Sequence, residues 1–254
     1  MILSKYVFLV NPPQERWDEI VVQSCADRIW KIALEDYCSL VKGHGSRNYK
    51  FIVAVDRAPE MSQKYAKCYG FKTLDSWSLV VLLPDTKKCD LRRINVDSAV
   101  RVVDLESVDF DKLDEYDRSI GGDVHRRKFL ELWLSQANAY NKFAVDESGN
   151  VIGYCNARIV CGDNVVLEPF YAENSAIAST LLKRTLEAVP RFHSRNKLSS
   201  YISSENHKGM EIFKQMVVGE LPIEKIIPRQ FTEEAIHTQS DRVYGIIGVH
   251  LSFV

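Results

Sequence analysis

The chain has 254 residues, of which 46% are hydrophobic and 26% are charged. These proportions are those of an ordinary globular protein, and they exclude a largely disordered chain. Lys and Arg number 33 and Asp and Glu number 34, so the formal net charge is −1. Because there is no basic excess to neutralise phosphates, we expect no nucleic-acid partner.

The sequence also argues against a membrane segment and against metal binding. No apolar run approaches the roughly 20 residues that a membrane-spanning helix needs. The apolar segment 1–10 contains Lys5 and leads into two prolines, so it is not interpreted as a signal peptide. Six scattered cysteines form no C-x-x-C pair, which disfavours a zinc site or a disulfide framework. We therefore expect a cytoplasmic protein with reduced thiols, no metal and no membrane partner.

Apolar spacing in the first third of the chain predicts alternating short strands and helices. Strands are predicted at 6–10, 49–56 and 76–83, and helices between 12 and 41 and at 64–69. Residues 86–98 are polar and charged, and they are interpreted as a linker.

A second and more complete series of elements begins at residue 101. Its predicted order is strand, helix, helix, three antiparallel strands, helix, strand, helix and strand. The clearest helix spans 175–189, where an apolar stripe ends at Pro190. The first series starts and ends in the same way as the second but lacks its middle. The predicted strands are 101–105, 142–146, 151–160, 165–172, 198–203 and 243–254.

This order of elements resembles the GCN5-related N-acetyltransferase (GNAT) fold. The residues that carry the resemblance lie at 116–134, 153–154, 167–172 and 242–245. Residues 101–254 look like the carboxy-terminal half of YitH-like acetyltransferases, which contain two such domains in tandem. The segments that resemble their amino-terminal domain are Asn11-Pro12-Pro13, Trp17-Asp18-Glu19 and residues 64–71.

The resemblance implies an α+β fold with a mixed sheet and a tandem organisation. A degenerate, truncated amino-terminal copy would occupy 1–93, and a complete GNAT domain would occupy 94–254. The implied activity is transfer of an acetyl group from acetyl-CoA to the amine of a small molecule or peptide, by direct attack. The degenerate copy would not bind acetyl-CoA by itself.

The family's chemistry implies a set of site residues around the fourth and fifth strands. These strands splay apart to accept the pantetheine arm of acetyl-CoA, and Pro169 suits a splay because it lacks an N–H to donate. A helix start with small residues then holds the pyrophosphate. Glu168 is the implied base and Tyr171 a further catalytic candidate. The residues assigned to acetyl-CoA are Phe170, Ala172, Ser175, Ala176, Ile177, Ala178 and Asn206.

The sequence departs from the family pattern at two places. Ala176 and Ala178 occupy the small positions of the phosphate loop, but its basic residue is absent and Glu173 would repel phosphate. Phe213 lies near the position where many relatives place a Tyr that acts as a general acid, and a Phe side chain cannot donate a proton.

Plainer interpretations of the same residues remain open. Glu168 also suits a solvated position, Tyr171 a core position, and 173–178 an ordinary helix start. Two other functions therefore stand beside the transferase: a non-catalytic binding or scaffolding module, and a sensor that binds CoA without turnover.

Overall fold

A computed structural model describes residues 53–55, 63, 66–67, 72–121, 126–231, 235 and 238–246. The elements predicted before residue 49, and the motif at 11–13, lie outside these residues. The helices are α1 (Phe110–Ile120), α2 (Arg127–Leu134), α3 (Ser175–Ala188) and α4 (His207–Met216). The strands are β1 (Val53–Val55), β2 (Thr73–Leu82), β3 (Arg101–Val103), β4 (Ala139–Val145), β5 (Val151–Val160), β6 (Asn164–Ala172), β7 (Leu198–Ser203), β8 (Ile223–Phe231) and β9 (Val243–Gly245).

The nine strands of the described residues form one mixed sheet, in the order β1-β8-β2-β7-β6-β5-β4-β3, with β9 paired to β6. Only β6 and β7 pair in parallel among the described strands. Apolar residues of α3 and α4 pack on one face of the sheet, and those of α1 and α2 pack on the other. The predicted mixed α+β fold class is therefore confirmed.

Strand β2 lies in the middle of this sheet although it precedes the predicted linker. It pairs antiparallel with β7 on one side and with β8 on the other. Asp75 and Arg229 place opposite charges 2.8 Å apart across β2 and β8, with both side chains buried and without a well-aligned hydrogen bond. The Arg229 guanidinium also covers the Trp77 ring at 4.1 Å. The sheet is thus continuous across residue 93, while the division into 1–93 and 94–254 stays a prediction.

The linker interpretation of 86–98 is wrong. Two short 3-10 turns, Thr86–Lys88 and Leu91–Arg93, begin at Asp85 and Asp90, whose side chains accept backbone N–H bonds. The segment is tied to the carboxyl end of α4, because the Asp90 N–H donates to the Met216 carbonyl at 2.8 Å. Buried side chains at Thr86, Cys89 and Ile94 anchor it further.

The three cysteines among the described residues are free thiols of different exposure. Cys89 and Cys155 are buried, and Cys161 is exposed. Burial raises the pKa of the Cys89 thiol to about 12, with Asp85 adding to the rise. Because the thiolate is the reactive form, we expect iodoacetamide to label Cys161 at least about tenfold faster than Cys89 in the native protein. Peptide mass spectrometry after brief labelling measures both rates, and equal rates would contradict this burial pattern.

Candidate functional site

Strands β6 and β7 separate part of the way along their length. They pair only where Val165–Leu167 lies beside Leu198–Ser200. On the other side of β6, Cys155 pairs with Phe170 and Ala157 with Leu167, so Glu168 and Pro169 form a bulge opposite Asn156. The predicted splay near Pro169 is therefore present. We call the gap between β6 and β7 beyond Leu167 the split.

The split holds a strand of the same chain. In β9, Gly245 pairs with Phe170 and Val243 pairs with Tyr171. On the β7 side, the Ile246 N–H donates to the Tyr201 carbonyl at 3.2 Å. The split is thus bridged from both of its walls.

Gly245 lies at the narrow end of the split. A methyl group at this position would lie 2.8 Å from the Leu167 carbonyl oxygen and 3.0 Å from Ser200 Oγ. Ser200 Oγ itself donates to the Tyr244 carbonyl at 2.8 Å. The backbone of β9 therefore fills this end to van der Waals contact.

Helix α3 begins beside the open end of the split, and its first free amides are already engaged. The Asn174 side chain accepts from the N–H groups of Ala176 and Ile177, both at 3.0 Å. This is ordinary N-capping, and it uses donors that a pyrophosphate would need. Glu173 forms an ion pair with Arg242 at 2.9 Å. The predicted repulsion of phosphate by Glu173 is therefore reduced by a neighbouring positive charge.

A groove of about 630 Å³ runs between the first turns of α3, helix α4 and the segment 95–98. Ser175, Ala176 and Ser179 line its α3 side. Its charged lining residues are Asp97, Lys208 and Glu211, so it carries one more negative than positive charge. Small side chains give the groove its room, while its charge does not favour a polyanion.

Glu168 lies on the opposite face of the sheet from this groove, with the α1 and α2 side chains. It is 5% exposed, and its carboxylate accepts from Arg158 Nη2 at 2.5 Å and Nε at 3.1 Å. The Arg158 guanidinium in turn covers the Trp133 ring at 3.8 Å. Burial raises the pKa of Glu168 above its ordinary value, and Arg158 opposes that rise. A carboxyl group with a raised pKa is suited to proton transfer.

Tyr171 is fully buried beside a polar cluster that the sequence analysis did not identify. Arg126 donates to the two oxygens of Asp117 at 2.6 and 2.7 Å, and the Tyr154 hydroxyl donates to the same carboxylate at 2.5 Å. The Tyr171 ring lies edge-on to the Tyr154 ring, with centroids 5.4 Å apart. Asp117 lies on the buried face of α1, at a position where the helical spacing calls for an apolar residue. A carboxylate at such a position needs a buried partner, and this is the one signal in the sequence that could have revealed the cluster.

The predicted acetyl-CoA residues lie in three different environments. Ser175 and Ala176 line the groove, whereas Ile177 and Ala178 are buried against the sheet. Ala172 pairs with Gly153 inside the ladder. Phe170 and Asn206 contact β9: the Phe170 and Tyr244 rings lie 5.1 Å apart, and Asn206 Nδ2 donates to the Val243 carbonyl at 3.0 Å. Their role toward acetyl-CoA stays a prediction, as does the catalytic role of Glu168 and Tyr171.

Within the part of the chain that the structure describes, no helix is long and apolar enough to cross a membrane. The same residues contain no group of three or more His, Cys, Asp and Glu side chains that could hold a metal ion.

Part of this chain is similar to a known protein family. Residues 113–221 match a family model described as "Acetyltransferase (GNAT) domain". A search of curated proteins finds no match. The matched segment contains the bulge, the split, Glu168 and the start of α3.

Several solved structures share the fold of this chain at low identity. A proposed acetyltransferase from Pyrococcus horikoshii is 18% identical with a TM-score of 0.59, over 86% of this chain and 66% of that one. A GCN5-related N-acetyltransferase from Sphaerobacter thermophilus is 11% identical with a TM-score of 0.56, over 82% and 68%. A tandem GNAT protein of the clavulanic acid biosynthesis pathway is 14% identical with a TM-score of 0.55, over 83% and 69%. The matches thus span about two thirds of those chains. The YitH-like relationship and the truncated first copy stay predictions.

Proposed function

We propose that this chain, whose residues 113–221 match a GNAT acetyltransferase domain, transfers an acyl group from acetyl-CoA to an amine. The observation that supports the proposal most is the split between β6 and β7 beyond Leu167, since the family receives the extended arm of its donor there. The proposed acceptor is the amine of a small molecule or peptide. A cytoplasmic location, and the lack of nucleic-acid and membrane partners, stay predictions.

In the proposed binding mode, acetyl-CoA does not fit the described conformation. Strand β9 pairs with Phe170 and Tyr171 where we propose that the donor's arm lies. Asn174 occupies the amides of Ala176 and Ile177 that a pyrophosphate would use. The small residues at the start of α3 leave room for the donor's distal part, although the net negative lining of the groove opposes its phosphates. The obstacles are thus the occupied split, the capped amides at the start of α3 and the charge of the groove.

Glu168 is the proposed proton acceptor for the amine. An ammonium group must lose a proton before its nitrogen lone pair can attack the thioester. The nitrogen of the tetrahedral adduct must lose a second proton as the C–S bond breaks, and the CoA thiolate that leaves takes up a proton. Burial raises the pKa of Glu168 and so strengthens it as a base. The contact with Arg158 holds the carboxylate in one orientation. Glu168 lies on the α1 and α2 face, so the proposed binding place of the amine is on the opposite face of the sheet from the groove.

An acyl-transfer assay tests the proposal. Acetyl-CoA is incubated with the protein and a mixture of primary amines, while thiol release and acetylated products are followed. We expect amine-dependent thiol release, faster in a Gly245→Ala variant than in the unchanged protein because that variant cannot seat β9. The absence of amine-dependent release from both proteins would overturn the proposal.

The occupied split favours a second candidate, a non-catalytic module that retained the fold. The two functions differ in their response to ligand, because a ligand that binds only the folded state must raise its stability. Under the second candidate, millimolar acetyl-CoA leaves the melting temperature of the unchanged protein and of Gly245→Ala as it was. A raised melting temperature without acetylated product would instead indicate a sensor that binds CoA.

A further inference from the structure

We propose that β9 is an intramolecular occupant of the donor's binding place, and that CoA binds only when β9 leaves the split. The inference rests on the proposed function in taking acyl-CoA as the ligand. It makes the carboxyl-terminal part of the described chain a competitor of that ligand.

The first support is that β9 uses the same backbone groups that an extended amide-containing arm would use. Phe170 and Tyr171 have β9 as their ladder partner where β7 has already turned away. The Tyr201 carbonyl, on the opposite wall, accepts from Ile246. A ligand arm that paired with either wall would have to displace these bonds, because a backbone group in a ladder serves one strand at a time.

The second support is that β9 leaves no room in the split for a ligand arm. Val243, Tyr244 and Ile246 are buried, and the Tyr244 ring packs against Phe170. At Gly245 even one added methyl group would meet the backbone of β6 and the side chain of Ser200. Occupation of the split by β9 and by a ligand arm is therefore mutually exclusive.

The third support is that β9 is fastened to both helices beside the groove. Arg242 pairs with Glu173, the second residue before α3. Asn206 donates to the Val243 carbonyl at 3.0 Å while its Oδ1 accepts from Gly209 N–H, at the start of α4, at 2.8 Å. The Arg242 contact is partly exposed, with side chains 29% and 31% accessible, and it can therefore break without opening the core.

The strength of the contacts that hold β9 sets the expected change in CoA affinity. One hydrogen bond of ordinary net strength is equivalent to about a fivefold change in an equilibrium constant. For a ligand that binds only the form with β9 released, the apparent dissociation constant equals the intrinsic dissociation constant divided by the released fraction. Loosening β9 by one contact should therefore tighten CoA binding about fivefold while the released form remains the minor one.

The test compares CoA binding by calorimetry in the unchanged protein, Gly245→Ala and Ser200→Ala, the second of which removes the hydrogen bond to the Tyr244 carbonyl and changes no charge. Ser135→Ala is the matched control, because the Ser135 hydroxyl donates to the Leu132 carbonyl at the end of α2, away from β9. Hydrogen exchange at the Ile246 amide reports whether β9 is in place. We expect Gly245→Ala and Ser200→Ala to exchange this amide faster and to bind CoA about fivefold tighter or more, and Ser135→Ala to match the unchanged protein.

Two results would overturn the inference. One is CoA binding by the unchanged protein while the Ile246 amide stays protected, since CoA would then bind elsewhere. The other is a variant that exposes the Ile246 amide yet binds CoA no more tightly than the unchanged protein. CoA binding and acetyl transfer are measured separately. Tight CoA binding by the variants with β9 released, without any acetylated product, would refute the proposed function but leave the inference about β9 intact.

Discussion

Replacing Asp117 with alanine is expected to lower the free energy of unfolding by about 3–5 kcal/mol, the cost of leaving one member of a buried ion pair alone. The Arg126 side chain is 1% exposed and gives two of its N–H groups to Asp117. No described residue accepts a hydrogen bond from its remaining nitrogen, Nη1. The Tyr154 hydroxyl would lose its acceptor as well. Urea unfolding followed by tryptophan fluorescence measures the loss.

Asp111→Ala is the control for this experiment. Asp111 lies on the same helix and pairs with Arg127, but both side chains are largely exposed. Exposed ion pairs contribute little to stability, so its loss should be much the smaller of the two. Replacing Asp117 and Arg126 together with leucine and methionine should recover most of the lost stability, because no charge then remains buried. Similar losses for Asp117→Ala and Asp111→Ala would contradict the importance of this cluster.

Glu168→Gln is expected to lower the acyl-transfer rate by about 10²–10⁴-fold, the usual contribution of a general base. Glutamine keeps the shape of the side chain and an oxygen that can accept from Arg158, so the fold should persist. Glu131→Gln is the matched control, since Glu131 lies exposed on α2 and pairs with Arg127. Initial rates are best compared in the Gly245→Ala background. An unchanged rate in Glu168→Gln would remove Glu168 from the reaction.

The raised pKa of Glu168 also predicts two effects of pH. The acidic limb of the rate profile should lie above pH 4.5, the ordinary value of this carboxyl group. The folded state holds the proton more tightly than the unfolded state, so its stability advantage is present below the unfolded pKa and is lost as the pH rises through the folded pKa. Glu168→Gln should remove this part of the pH dependence of unfolding. A limb at or below pH 4.5 would contradict the base assignment.

Local patterns predicted the elements whose burial follows a simple period. Helix α3 was predicted at 175–189 and spans Ser175–Ala188, because its apolar stripe is complete and Pro190 cannot continue it. Strand β8 was not predicted at all. It contains Pro228 and charged residues, features typical of a loop, and it pairs at a register shift where Pro228 lies opposite Ser78.

By itself the sequence determined the order of the elements from β3 to α4, the bulge at Pro169 and the small side chains at the start of α3, because these depend on residues close together in the chain. Only the tertiary structure decided what occupies the split and which groups surround the two carboxylates. Gly245 meets Leu167, Arg158 meets Glu168, and Tyr154 meets Asp117. Such contacts follow from strand register and side-chain direction across the sheet, which local propensities do not specify.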